Sequence, residues 1–300
     1  MNFKSGFVAL IGRPNVGKST LLNALIGNKV SIISSIPQTT RHQIKGILNL
    51  EQAQIVFVDT PGMHNFKDPL AAHLNTIARR SLEGVDLILY VVDTTRAIGN
   101  EEKRLMNLLS KQDIATIMVL NKTDANSIYL NDYINFWQNS VSSGVKNPLL
   151  YYIPVSAKKG DNIGRLRDAV CEQLPEAQPF YDNNTTTDFP LNFRIADIIR
   201  EKLFLRLKKE LPHSLAVEAS EIEDKAKVCS IKATIYVQRN SQKKIVIGKK
   251  AQDLKTIGTE ARVDIEKIVG KKVFLDIWVT VLGDWQKRPR ILKKLGYWWV

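Results

Sequence analysis

Gly12-Arg13-Pro14-Asn15-Val16-Gly17-Lys18-Ser19 spaces two glycines, a lysine and a hydroxyl as a phosphate-holding loop does. It follows the apolar run Phe7–Ile11 and opens an amphipathic stretch over 18–26, so the order is strand, loop, helix. Glycines let successive N–H groups turn inward around phosphate oxygens, and the helix N-terminus adds its partial positive charge. Lys18 is expected to reach the outer phosphates. The Ser19 hydroxyl is expected to bind Mg²⁺, with Thr20 beside it.

Three further motifs follow apolar runs in the same way. Asp59-Thr60-Pro61-Gly62 comes after 55–58, and Met63 follows it. Asp59 is expected to hold Mg²⁺ through water, and the Gly62 N–H to meet the terminal phosphate. Asn121-Lys122-Thr123-Asp124 comes after 116–120, and Ser156-Ala157-Lys158 after 151–155. The Asp124 carboxylate can accept from N1–H and N2–H₂ of guanine together, and adenine presents neither donor in that arrangement. A buried acceptor left unpaired costs about 1–3 kcal/mol, so guanine is favoured over adenine and an ATP-binding reading recedes. Where related enzymes carry a glutamine that orients the attacking water, this chain has Met63, so a slow intrinsic hydrolysis is expected. His42 and His64 flank the same region, but phosphoryl transfer needs positioning and charge more than a base.

The elements that position these residues form a pattern. Apolar runs at 7–11, 55–58, 87–92, 116–120 and 151–155 alternate with amphipathic stretches at 18–26, 70–82, 101–111, 128–143 and 161–174. Continuous apolar runs suit strands buried on both faces of a parallel sheet. The alternation implies a doubly wound, mostly parallel α/β domain over 1–175, with Ile44–Leu50 as an antiparallel edge strand. Every motif then lies at the carboxyl end of a strand, where ligands bind in such sheets. A polar, proline-bearing stretch over 176–190 reads as a linker. Residues 191–300 read as an α+β domain: a helix at 191–210, strands near 213–222 and 227–238, a turn at Gly248, a helix over 249–269 and a strand at 273–281.

Charge separates the two parts. The chain carries 43 Lys+Arg against 30 Asp+Glu, and from Arg239 to the end the balance is 15 against 6. That excess suits a polyanion, nucleic acid first and an anionic membrane surface second, and on charge alone it suits a solubilising surface equally. Trp278, Trp285, Trp298 and Trp299 fall among Lys287, Arg288, Arg290, Lys293 and Lys294. Aromatics between cations suit stacking on unpaired bases. Trp278 is expected in the domain core, with Trp285 as a second candidate. Tyr297-Trp298-Trp299 is harder to place as core, and a dock onto the domain or a contact with RNA or membrane both stand. Two distant cysteines, Cys171 and Cys229, point to a reducing compartment without disulfide or zinc framework, and no apolar run nears the ~20 residues of a bilayer span. A cytoplasmic protein is expected.

Taken together, these motifs resemble the translation-factor-related GTPases, and within them the Era family of bacterial ribosome-assembly GTPases, over essentially the whole chain. The resemblance implies a P-loop NTPase (Ras-like) G domain and a type II KH domain. It also implies GTP/GDP and Mg²⁺ as ligands, with Lys18, Thr40, Asp59 and Gly62 as the catalytic residues. Pro37-Gln38-Thr39-Thr40-Arg41-His42 resembles the family's first switch, and one threonine would then bind Mg²⁺, Thr40 ahead of Thr39. Asn15 resembles a potassium-binding asparagine, with simple turn-capping as the other reading. Gly248-Lys249-Lys250-Ala251 resembles the G-x-x-G turn that clamps a nucleic-acid backbone, with alanine at the last position. A Cβ there is tolerated if Ala251 has helical geometry, as its place at a helix start suggests. Lys244, Gly248, Lys249, Lys250, Lys255, Arg288, Arg290 and Lys293 are the expected RNA contacts. The family implies the single-stranded 3′ region of 16S ribosomal RNA as target, a role in small-subunit maturation, a monomer, and a peripheral contact with the inner membrane. An RNA scaffold holding GTP with little turnover is the alternative.

Overall fold

A computed structural model of the chain describes residues 2–34, 36, 40–61, 74, 76, 77, 80–141, 147–207 and 211–297. Its described residues form two compact units. One holds residues 2–33 and the described residues from 40 to 188, and the other holds Ser34, Ile36 and Phe189 onward.

The first unit is a six-stranded sheet: β1 (Lys4–Ile11), β2 (Ile44–Asn49), β3 (Ala53–Asp59), β4 (Leu87–Asp93), β5 (Ala115–Asn121) and β6 (Leu149–Pro154). The spatial order is β2-β3-β1-β4-β5-β6, parallel throughout except for β2, which pairs antiparallel with β3. Helices α1 (Lys18–Ile26), α2 (Asn100–Leu109), α3 (Leu130–Val141) and α4 (Ile163–Gln173) belong to the same unit. Alternate residues of β1 feed two cores: Val8 and Leu10 join Leu21, Leu25, Leu166 and Val170 on one side. Ala9 and Ile11 join Leu105, Leu109 and Trp137 on the other. Each such aliphatic side chain contributes about 1.5–3 kcal/mol on burial, which is why the run had to be apolar throughout.

The stretch whose composition reads as linker is hydrogen-bonded along this unit as far as Asp188. Gln54, fully buried, gathers it: its Oε1 accepts from the N–H groups of Phe180 (2.7 Å) and Tyr181 (3.0 Å), and its Nε2 donates to the Tyr181 carbonyl (2.7 Å). Thr187 bridges Gly46 in the antiparallel sense, and the Ile47 N–H donates to the Thr186 carbonyl, so the strap covers the free edge of β2.

In the second unit, α5 (Leu191–Arg206) precedes β7 (Ala216–Asp224) and β8 (Val228–Val237). Then come α6 (Asn240–Ile247), α7 (Gln252–Val269), β9 (Lys272–Val281) and a short α8 (Pro289–Lys294). The sheet order is β7-β8-β9, antiparallel then parallel, leaving β9 at an edge. Ile257, Ala261 and Ile265 of α7, at four-residue spacing, pack on the inward residues Cys229, Ile231, Ala233, Ile235 and Val237 of β8. Helix α6 fills the stretch between the 227–238 strand and the Gly248 turn, to which the sequence pattern assigns no element. It is started by Gln242, whose Oε1 accepts from the N–H of Arg239.

One aromatic expectation is reversed here, and for Tyr297 the dock onto its own domain, one of the two open readings, is what is observed. Trp278 is not core: it is 63% exposed, on the outer face of β9, because Val273 and Val279 set the opposite parity inward. Tyr297 is buried: its hydroxyl accepts from Arg200 Nη1 at 2.8 Å, and Arg200 is itself buried and paired with Asp197. Trp285 is buried as expected and donates to the Ser214 carbonyl. Trp298 and Trp299 lie outside the described residues. Among the described residues no helix is long and apolar enough to cross a membrane.

Candidate functional site

The phosphate loop joins β1 to α1, and its two glycines are required by different neighbours. A Cβ on Gly12 would collide with the Val91 carbonyl, and Gly17 sits at φ +100° against the Asn121 amide. Lys18 is buried, its Nζ donating to the carbonyls of Gly12 (3.0 Å) and Arg13 (2.9 Å). Burial depresses its pKa to about 8, against the opposing pull of Asp59 and Glu102.

Asp59, at the end of β3, is fully buried. Its Oδ2 accepts from Ser19 Oγ (2.8 Å) and Ser31 Oγ (2.9 Å), and Ser19 Oγ lies 2.9 Å from Thr40 Oγ1. Burial pushes the Asp59 carboxyl up, while Lys18 and the two serine hydroxyls pull it down. Its Oδ1 is buried with no hydrogen-bond partner among the described residues. Hard oxygens from Ser19, Thr40 and Asp59, one of them unsatisfied, fit Mg²⁺. Ser31 is a member of this cluster that the motifs do not reveal.

At the other end of the site, the strand-end motifs are tied to one another. Asn121 Nδ2 donates to the Val16 carbonyl (2.8 Å), and its Oδ1 accepts from the Ala157 N–H (3.1 Å). Lys122 Nζ donates to the Asn15 carbonyl (2.8 Å) and to Asp93 Oδ2 (2.6 Å). Ser156 Oγ donates to Asp124 Oδ1 at 2.8 Å, and this bond holds the Asp124 carboxyl below the usual range. A cavity of about 520 Å³ is lined by Gly17, Thr20, Asn121, Lys122, Asp124, Ala157 and Lys158, with Ile33 and Ala125 added to the predicted set. Ile33, 39% exposed, gives that cavity an apolar wall residue.

The Arg13 side chain turns into the protein instead. It forms an ion pair with Glu102, whose Oε1 accepts from Tyr90 at 2.6 Å, and its Nη2 donates to Tyr133 (3.0 Å). Thr60 Oγ1 donates to the Leu10 carbonyl, pinning the end of β3 to β1. His42 is buried. Gly62, Met63, His64 and Thr39 lie outside the described residues, as do Pro37 and Gln38.

In the second unit, α6 ends in the turn Gly248-Lys249-Lys250-Ala251. Gly248 (φ +74°) cannot carry a Cβ, which would overlap Asp253. Lys250 (φ +51°) and Ala251 (φ +58°) are both left-handed. The expectation that Ala251 has ordinary helical geometry is therefore wrong: it is the N-cap of α7, in a conformation that costs an L-residue about 1–2 kcal/mol. Beside the turn runs a groove of about 360 Å³ between α7 and β9. Leu254, Lys255, Gly258 and Arg262 form one wall, and Phe274, Leu275 and Ile277 the other. Arg262 and Phe274 carry no motif that would announce them. Lys244, Lys249 and Lys250 are exposed close to the groove in sequence, and Arg288, Arg290 and Lys293 are exposed around α8 but do not line it.

A nucleotide loop on a parallel sheet, followed by a glycine-turn groove beside a sheet edge, defines a P-loop GTPase joined to a KH domain. A family model described as a 50S ribosome-binding GTPase matches residues 7–122, and a KH-domain model matches residues 210–286. GTPase Era of Alkaliphilus metalliredigens is 42% identical over 99% of this chain and 100% of its own. That of Geobacter metallireducens is 41% identical over 98% of each. Among solved structures, Era in complex with MgGDPNP and nucleotides 1506–1542 of 16S ribosomal RNA aligns with a TM-score of 0.92 at 38% identity, covering 98% of this chain and 99% of the other. A variant of Aquifex aeolicus Era bound to GDP and aluminium fluoride aligns at 0.91, with the same identity and coverage. The chain belongs to the Era family of GTPases.

Proposed function

We propose that the chain is a Mg²⁺-dependent GTP switch that binds the 3′ region of 16S ribosomal RNA and acts in small-subunit maturation in the cytoplasm. The observation that carries this reading is the hydroxyl–carboxylate link from Ser19 to Thr40 and Asp59, which ties a switch threonine to the residues facing the phosphates. In the bound state, Lys18 exchanges its two loop carbonyls for phosphate oxygens. The loop N–H groups of residues 12–19 and Thr20 hold the remaining oxygens, Asp124 grips the guanine edge, and Asn121, Lys122 and Ser156–Lys158 hold the base loops together. Mg²⁺, when bound, neutralises charge developing on the phosphates. Thr40 and the Asp59–Gly62 segment report the terminal phosphate, and its loss releases them.

With Met63 in place of a water-orienting glutamine, the turnover of the isolated chain is slow. Asn15, left-handed at φ +64° with its carbonyl bound to Lys122, is the residue through which K⁺ would stimulate it. A single chain supplies every nucleotide contact named here, which supports a monomer. A contact with the inner membrane would fall to Trp298 and Trp299. The target RNA follows the neighbour that covers both domains, because the family model naming the 50S particle spans the nucleotide domain alone. In the second domain, Lys244, Gly248, Lys249, Lys250 and Lys255 take the backbone of four or so nucleotides, with Arg288, Arg290 and Lys293 as outlying phosphate contacts.

Phosphate release from GTP, measured with and without a 16S 3′-end RNA and in KCl against NaCl, tests the proposal. Turnover that rises with RNA supports a switch. GTP that stays bound and uncleaved under all four conditions would mean a scaffold with structural nucleotide.

A further inference from the structure

The outer face of the second unit's sheet is unlike the surface of a domain with one RNA groove. Phe274 and Trp278, both on the outward parity of β9, are 62% and 63% exposed. They stand four residues apart on one strand, roughly 13 Å along it. Their cross-strand neighbours are small: Ser230 sits beside Phe274 and Thr234 beside Trp278, so each ring has an open approach. Trp278 Nε1 donates to Asp276 Oδ2 at 2.8 Å, which fixes the indole plane before any ligand arrives.

Charge on this face selects the occupant. Each acid of this face has a donor or cation beside it: Asp276 the indole N–H, Glu221 Lys232, Glu223 Lys225, and Glu218 both Lys294 and the Tyr236 hydroxyl. Exposed Lys272 stands on the same strand, and Arg262 and Lys255 line the groove next to Phe274. Phe274 belongs to both surfaces: it lines the groove, and it shares a face with Trp278. An aromatic pair on an open sheet, with three acids ion-paired, the fourth bound to the indole and cations at its margin, fits a single-stranded polynucleotide better than an acidic or purely apolar protein surface.

We propose that single-stranded RNA leaving the groove passes over the edge of β9 at Phe274 and stacks further bases on Phe274 and Trp278, making the outer sheet face a second, sequence-tolerant nucleobase site. The inference rests on the RNA-binding reading above. It adds to it a site outside the glycine-turn groove.

Two synthetic RNAs from the 16S 3′ end separate the readings: a short one of about four nucleotides that fills the groove, and one extended by about six nucleotides at each end. Binding to the full chain is measured for the wild type, Trp278→Ala and Trp278→Phe, with thermal melts to verify folding. Trp278→Ala is expected to weaken the long RNA about 5- to 100-fold and to leave the short one within about twofold, while Trp278→Phe restores most of the loss. Equal binding of the long RNA by wild type and Trp278→Ala, with the short RNA still bound, would overturn the second site and leave the groove intact. Failure of the wild type to bind either RNA would overturn both. A Trp278→Ala chain that keeps full RNA affinity but loses a co-purifying protein would assign the face to that protein instead.

Discussion

The nucleotide pocket and the RNA groove both depend on lysines, and they use them in opposite ways. In the pocket, Lys18 is 6% exposed, has two carbonyl partners waiting, and is depressed by burial to a pKa of about 8. At the groove and the turn that leads into it, Lys255 and the pair Lys249 and Lys250 are exposed, on the first turns of a helix and on the turn itself. The first arrangement builds the polar contacts into the fold, so the ligand replaces existing partners and selectivity comes from what it leaves unpaired. The second gains affinity by displacing counterions from a flexible polyanion, so it is tolerant of sequence and sensitive to salt.

The strongest way to break this contrast is to truncate one lysine from each region. Lys18→Ala should weaken GTP by two orders of magnitude or more, the scale of removing one partner from a buried charged contact, and leave RNA binding in low salt unchanged. Calorimetry with GTP alongside an RNA gel-shift checks both halves. Lys249→Ala with Lys250→Ala should do the reverse: about tenfold weaker RNA at moderate salt, and a salt slope shallower by about 1.4, roughly 0.7 for each single-strand phosphate that is no longer neutralised. GTP affinity should not change.

The pKa of Lys18 sharpens the comparison further. A polyphosphate favours the charged amine, so its pKa rises from about 8 when nucleotide binds, and binding takes up a proton above that pH. GTP affinity should then be flat below pH 8 and fall as pH rises beyond it, approaching tenfold per unit. Titrations at pH 7, 8 and 9 in buffers of different ionisation enthalpy measure it. The smallest effect is in the turn: Ala251→Gly removes a left-handed Cβ and should stabilise the second unit by about 1 kcal/mol, read as an upward shift of its melting transition.

Most of the nucleotide site is legible in the sequence because each motif follows a continuous apolar run, and a run buried on both faces can only be an interior strand. Asn121, Lys122 and Asp124 therefore fall at the end of β5 without any knowledge of the contacts between them. Side-chain direction is less legible. Arg13 sits in the phosphate loop by sequence, yet its guanidinium pairs with Glu102 on α2, a partner about ninety positions away that no local pattern announces. Ile33 and Ser31 join the site from a segment without a motif. For Trp278 the sequence does carry a signal against a core position: Val273, Leu275, Ile277 and Val279 share one parity, which sends residue 278 to the other face. Tyr297 offers none, because its burial depends on Arg200, almost a hundred residues earlier. The strap over 180–187 looks like linker because a polar segment held by hydrogen bonds, many of them to the distant Gln54 side chain, carries no hydrophobic period.

The central claim is that the prewired pocket selects guanine nucleotide, with Asp124 reading the base and Lys18 the phosphates. Calorimetric titration of the purified chain with GTP and with ATP, each with Mg²⁺, tests it most directly. The account predicts tight GTP binding and ATP weaker by at least about a hundredfold, with Asp124→Ala erasing the difference. Equal affinity for the two nucleotides, or a preference that survives Asp124→Ala, would contradict it.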